Sequence, residues 1–287
     1  MTSRILPQFE LLMPKSLAEA FAHMDTYGEK TAIMAGGTDL MTEMKKAPLA
    51  DYVLSLSQIP ELNFLECDTQ KGLRLGAMTT LADIVKSQEV RREYPALWFS
   101  AAANGTVQTR NMGTVLGNVL RGSPSGDCCC AILAYGGSVV LQSSSGEREV
   151  DIDEFWSGYR QTARMDNEIA VALKLPTLNE RTRSAFKDLT RTNMDLAKVN
   201  ASVCMAVENN VCKNIRIAIG GVAPTTLRLK DCEAFLQGNE LSEDILQQIE
   251  QKVSEAIQPI DDVRSTAEYR KYASGALVRQ TIAAALT

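Results

Sequence analysis

The stretch that decides the reading is Ile33-Met34-Ala35-Gly36-Gly37-Thr38-Asp39-Leu40. The apolar run 32–35 has the length and composition of a buried strand. It runs into two glycines, then Thr38 and Asp39 at the start of a helix predicted over 40–47, which Pro48 stops. Glycine lets backbone N–H groups come close to a phosphate, and a helix N-terminus favours negative charge. Thr38 adds a hydroxyl donor. Taken alone, the stretch is equally a tight turn with an N-cap, so its surroundings decide.

Upstream, Ser16-Leu17-Ala18-Glu19 spells a capping box, Leu17, Phe21 and Met24 share one helical face, and Gly28 is a stop. A strand is expected at 52–56, so the opening 60 or so residues read as βα-like. Further on, 73–77 is a strand candidate, and Thr80-Leu81-Ala82-Asp83 is a second capping box opening a helix with Leu81, Ile84 and Val85 apolar. Residues 95–103 suggest a short buried helix. Residues 104–127 are rich in Gly, Asn, Ser and Thr and lack periodicity, which predicts a long functional loop. Inside it, Gly113-Thr114-Val115-Leu116-Gly117-Asn118 and Ser123-Pro124-Ser125-Gly126-Asp127 offer more amides and hydroxyls to an anionic, polyhydroxylated ligand.

Residues 139–142 and 148–152 around Ser143-Ser144-Ser145-Gly146 read as a hairpin, and 169–175 as a strand ended by Pro176. The polar stretch 177–183 then marks a domain boundary. Beyond it, strands are expected at 184–189, 201–208 and 215–220, with Asn209-Asn210 turning between the last two. Helices are expected at 227–236, 242–257 and 267–286, the middle one carrying a stripe of Ile245, Leu246, Ile249, Val253 and Ile257.

Composition narrows the function. The chain has 287 residues, 45% hydrophobic and 23% charged, which is ordinary globular usage. A net charge of −5 without a basic patch argues against nucleic acid as partner. No apolar run approaches the roughly 18 residues of a membrane span. The opening MTSRILPQFELLMPKS lacks an apolar signal core, so a cytoplasmic protein is expected. Seven cysteines, an odd number with three adjacent, point to reduced thiols. Cys128, Cys129 and Cys130 diverge on any regular backbone, so they are expected as small buried apolar groups opening a helix, not as metal ligands. The only histidine, His23, sits without a motif in the first helix and is expected at the surface or half-buried, which disfavours Ser-His-Asp and Cys-His catalysts. Neither a P-loop nor a G-x-G-x-x-G is present.

Several motifs follow one another in a telling order: Ala35-Gly36-Gly37-Thr38-Asp39-Leu40, Arg110-Asn111-Met112-Gly113-Thr114-Val115-Leu116-Gly117-Asn118, Ser123 to Asp127, Asp166-Asn167-Glu168-Ile169, Ser184-Ala185-Phe186-Lys187 and Ile219-Gly220-Gly221-Val222-Ala223-Pro224-Thr225. The ordered set resembles the FAD-binding medium subunit of the molybdenum hydroxylases, the family of xanthine dehydrogenase, carbon monoxide dehydrogenase and nicotinate dehydrogenase. The resemblance implies an α+β fold. A two-part FAD-binding domain of the PCMH/vanillyl-alcohol-oxidase type would span 1–176, with a small α/β part over about 1–58 and a larger α+β part over about 59–176. A C-terminal domain with a three-stranded antiparallel sheet and helices would span 177–287.

The resemblance also implies roles. Ile33, Met34, Ala35, Gly36, Gly37, Thr38, Asp39 and Leu40 would contact FAD, with 34–40 holding the pyrophosphate through amides and Thr38. Thr114, Val115, Leu116, Gly117, Asn118 and Ser123 would meet the rest of the cofactor, and Asp127 a hydroxyl or ring group on it. Ala170 and Lys187 would lie at the flavin end and Asn104 near the flavin face. Three features depart from the pattern: Leu116 replaces the first glycine of the usual Gly-Gly-Asn, Arg121 stands where small residues are common, and the triple Cys replaces a Pro-containing segment. The implied partners are a molybdopterin-carrying large subunit and a small subunit with two [2Fe–2S] clusters, assembled as a dimer of heterotrimers. The 221–225 stretch looks closest to the xanthine dehydrogenase branch, implying NAD⁺ as acceptor. A self-contained flavin reductase or oxidase, and an assembly subunit that lost its flavin, stay open as alternatives.

Overall fold

The computed structural model describes residues 5–192 and 194–286. Met1–Arg4, part of the stretch read for a signal core, lie outside them. The first layer is a parallel three-stranded sheet. Strands β1 (Glu10–Leu12), β2 (Thr31–Met34) and β3 (Tyr52–Ser55) lie in the order β1-β3-β2, crossed by helices α1 (Leu17–Tyr27) and α2 (Leu40–Met44). The βα reading therefore holds, with β1 added. That strand is three residues long, too short to show a pattern, and the pairing of Glu10 with Tyr52 and Leu12 with Leu54 fixes it. Only half of the first capping box forms. The Glu19 N–H donates to Ser16 Oγ, while the Glu19 carboxylate accepts from Lys15 N–H instead of Ser16. The box at Thr80 and Asp83 closes in both directions.

The second layer is antiparallel. Strands β4 (Leu65–Asp68) and β5 (Gly72–Gly76) precede helices α3 (Leu81–Lys86), α4 (Gln88–Glu93), α5 (Pro95–Ala103), α6 (Val107–Met112), α7 (Val115–Arg121) and α8 (Asp127–Tyr135). Then come β6 (Ser138–Ser143), β7 (Gly146–Asp151), α9 (Ile152–Phe155), β8 (Trp156–Gly158), β9 (Gln161–Thr162) and β10 (Ile169–Leu175). The sheet order is β4-β5-β10-β6-β7, with β8-β9 as a separate hairpin. The expected long loop over 104–127 is corrected here: α6 and α7 occupy most of it. Thr106 and Thr114 cap these helices, accepting from the N–H groups of Thr109 and Gly117. Caps and packing, not periodicity, make such short helices. Every residue of α8 is buried, Asp127 and the three cysteines included, and apart from Asp127 it is apolar nearly all round. All seven cysteines are free. His23 is half-buried and stacks on Tyr27.

The last part holds β11 (Thr182–Leu189), β12 (Val199–Glu208), β13 (Val211–Gly220) and β14 (Leu227–Arg228), then α10 (Lys230–Leu236), α11 (Glu243–Ala256) and α12 (Ala267–Leu286). The sheet is antiparallel in the order β11-β12-β13-β14, so the expected three strands become four. Leu227 and Arg228, read as helical, instead pair with Ile219 and Ala218. Two apolar cores result. One gathers the first two layers, and Phe186, Cys204 and Ala218 join it from the last sheet. The other lies between that sheet's opposite face and α10–α12, and includes Leu246, Ile249, Val253 and Ile257 of the expected stripe. No helix among the described residues is long and apolar enough to cross a membrane.

Candidate functional site

The glycines of the opening motif meet the second motif directly. A Cβ on Gly36 would stand 1.8 Å from the Met112 carbonyl oxygen, so Gly36 is where the loop after β2 touches the turn after α6. Gly37 takes φ +70°, a left-handed conformation that glycine alone adopts freely. The Thr38 hydroxyl lies 3.5 Å from the Cβ position of Gly113. The 36–38 turn and the 113–118 segment thus form two walls of one cleft of about 510 Å³.

The cleft wall includes Ile33, Met34, Ala35, Gly36, Gly37, Thr38, Asp39 and Leu40 from the first segment, with Thr114, Leu116, Gly117 and Asn118 from the second. Asn104, at the C-terminus of α5, and Ala170 of β10 complete the expected residues that line it. Ala170 stands at an irregularity in the β10–β6 register, a common device for aiming one residue at a site. The Glu168 carboxylate steadies the approach to Ala170: it accepts from Arg148 at 2.6 and 2.9 Å and from the Met165 N–H at 2.7 Å.

Four expected residues are not on that wall. The Val115 side chain is buried in the core and its N–H donates to the Thr79 carbonyl. Ser123 lies in the turn before α8, where its carbonyl accepts from the Gly126 N–H. Asp127 is buried and accepts from Asn200 Nδ2 at 2.7 Å. Burial raises its carboxyl to about pKa 7 against the Asn200 hydrogen bond, with Asp188 adding to the rise. Lys187 pairs with Ala201 within the last sheet. Motif reading picked these out by their place in a pattern, which does not reveal which way a side chain turns.

The structure adds residues that no motif marked. Glu43 of α2, Arg160 and Thr162 of the β8–β9 hairpin, and Arg164 just after it all line the cleft. Arg121, noted only as a departure, joins them. Arg121 pairs with Glu43 at 2.8 Å and Asp39 at 3.4 Å, and Arg160 lies 3.7 Å from Glu43. A hydrogen bond from Lys46 lowers the Glu43 carboxyl against its desolvation, and the Arg121 charge lowers it further. Arg164 is occupied with the carbonyls of Met165, Asp166 and Glu168. Trp156 brings the hairpin into place by donating from Nε1 to the Val119 carbonyl at 2.9 Å.

The cleft suits an anionic cofactor. Among the described residues, the amides of Gly36, Gly37, Thr38 and Asp39 donate to no other group of the protein. Such donors at a cleft wall need an acceptor, and phosphate oxygens fit. The cleft also has apolar stretches at Leu56, Ala77 and Ile169, able to take a flat ring.

Fold and cleft together define a flavoprotein of the two-layer FAD-binding class, extended by a helix-covered antiparallel sheet. A family model described as the FAD binding domain in molybdopterin dehydrogenase matches residues 7–178, and one described as the CO dehydrogenase flavoprotein C-terminal domain matches residues 184–285. The chain belongs to this family of molybdopterin-dehydrogenase flavoproteins and is an oxidoreductase subunit with FAD as its cofactor. The medium chain of carbon monoxide dehydrogenase from Hydrogenophaga pseudoflava is 30% identical over 282 residues, covering 98% of each chain. The medium chain of glyceraldehyde dehydrogenase from Sulfolobus acidocaldarius is 28% identical, covering 92% of this chain and 94% of that one. The solved carbon monoxide dehydrogenase from Hydrogenophaga pseudoflava that lacks the Mo-pyranopterin moiety superposes with a TM-score of 0.94 at 30% identity, over 98% of each chain.

Proposed function

We propose that this chain relays electrons within a cytoplasmic molybdenum hydroxylase, taking them from the [2Fe–2S] clusters of a small partner subunit and passing them to NAD⁺. A large partner subunit would carry molybdopterin and the substrate, and the assembly would be a dimer of heterotrimers. The observation that carries the reading is the meeting of residues 33–40 with residues 113–118 at a cleft whose turn amides are free to donate. When bound, FAD accepts electrons singly and releases a pair as hydride. The chain's own residues bind and orient it. The amides of 36–39 and the Thr38 hydroxyl would hold the pyrophosphate, Thr114, Gly117 and Asn118 would meet the rest of the cofactor, and Asn104 and Ala170 would lie toward the flavin. The division into 1–176 and 177–287 draws support from the two cores and from the end of β10 just before Pro176, and the subdivision near 58 from the separate sheets on either side of it. The 221–225 stretch supports the xanthine dehydrogenase-like branch.

The test is direct. The purified chain should be yellow, release about one FAD per chain on denaturation, and have its flavin bleached by NADH with an artificial dye as final acceptor. A colourless chain that takes up no added FAD would overturn the cofactor placement. A chain that holds FAD but ignores NADH would move the acceptor to ferredoxin or another carrier.

A further inference from the structure

We propose that Arg121 and Arg160 read the anionic pyrophosphate of FAD by charge. The inference rests on the FAD reading of the cleft and goes beyond backbone amides as its phosphate contacts.

Both arginines line the same cleft as the Gly36-Gly37-Thr38 turn. Arg121 is tied to that turn by its 3.4 Å contact with Asp39. Neither guanidinium is used up. Arg121 Nη2 donates to Glu43, yet a guanidinium carries five N–H groups. Arg160 approaches Glu43 only at 3.7 Å, and among the described residues its guanidinium donates no side-chain hydrogen bond within the protein. Arg164, the third arginine of the wall, differs, because backbone carbonyls occupy it. Two guanidiniums with spare donors beside four free amides match the oxygens of a pyrophosphate.

The backbone at Arg160 is the independent observation. Its φ is +56°, in the left-handed region that glycine adopts freely and arginine does not. The conformation is enforced from outside: the Arg160 N–H donates to the Gly122 carbonyl at 3.2 Å, and Gly122 lacks the side chain that would crowd the Arg160 Cα. A strained position that keeps arginine where glycine fits more easily points to a role for the guanidinium.

The test exploits that strain. Arg160→Gly removes the charge and relieves the backbone, so the flavin-free variant should melt within a few degrees of the wild type. Its dissociation constant for FAD at low salt should rise about tenfold, the worth of one charge-assisted hydrogen bond. Arg121→Gln should do likewise. For both variants the gap should narrow at high salt, where screening weakens the wild type's extra attraction. FAD binding within twofold of wild type in both variants would overturn the inference, as would a loss equally large at high salt. A wild-type chain without FAD affinity would instead defeat the reading beneath it.

Discussion

The glycines at 36 and 37 had one expected purpose in the sequence, backbone approach to a phosphate, and the structure separates them. Gly37 is needed for its left-handed backbone, whereas Gly36 is needed because the Met112 carbonyl occupies the place of its side chain. Gly36→Ala must therefore push the two cleft walls apart, an overpacking worth about 1–3 kcal/mol. FAD occupancy should fall sharply while far-UV circular dichroism stays native. Full occupancy in that variant would show that the walls move at little cost. This contact was illegible beforehand because it joins residues 76 positions apart. The motif residues themselves were legible, since glycine and hydroxyl spacing is local. Arg160 and Arg164 were not, because they reach the cleft through a hairpin that Trp156 places from afar.

Helices α1 and α11 were readable by period, and α11 and α12 lie within a residue of their expected bounds. The Asn209-Asn210 turn was readable too: both residues adopt positive φ (52° and 62°), as a tight two-residue hairpin turn requires. Short elements such as α6, α7 and β14 were hidden, being made by caps and pairing with distant strands. Helix α12 offers a test of packing against propensity. A Cβ on Gly275 would stand 2.3 Å from the Glu250 carbonyl oxygen of α11. Propensity alone favours alanine by about 1 kcal/mol. The backbone overlap opposes it by more, since α11 and α12 are also tied by Arg279 to Glu250 and by Ser254 to the Lys271 carbonyl. Gly275→Ala should lower the melting temperature and leave FAD affinity unchanged, because the substitution lies in the second core. A raised melting temperature would mean the helices separate freely.

The whole molecule is organised around a sheet shared by two cores. Strands β11–β13 present Phe186, Cys204 and Ala218 to the first core and Ala185, Val203 and Ile217 to the second. The Cys130 thiol donates to the Ala218 carbonyl at 3.3 Å, and Asn200 holds both Asp127 and the Ser125 carbonyl. Asp153 is the charged counterpart of these links. It bridges Arg216 and Arg228 of the last sheet at 2.5 and 2.7 Å, while Arg228 also grips Glu233. Burial works against the charged carboxylate, but hydrogen bonds and charge from the two arginines outweigh it, and Asp153 is held below the ordinary aspartate value. A carboxylate lowered in this way adds stability above its unfolded pKa of about 4, and that stability is lost as pH falls through the folded value. The groups are about one-fifth exposed (21–23%), so the linkage is worth more than a surface pair and less than a dry one, about 1–3 kcal/mol. Asp153→Asn should thus lower the melting temperature at neutral pH by several degrees, at roughly 2–4 °C per kcal/mol. The deficit should hold between about pH 5 and pH 8 and shrink below about pH 4, where the unfolded chain's carboxyl takes up protons and, further down, the folded one follows. A deficit independent of pH would assign the effect to packing, and no deficit at all would show that the two cores hold together without this bridge.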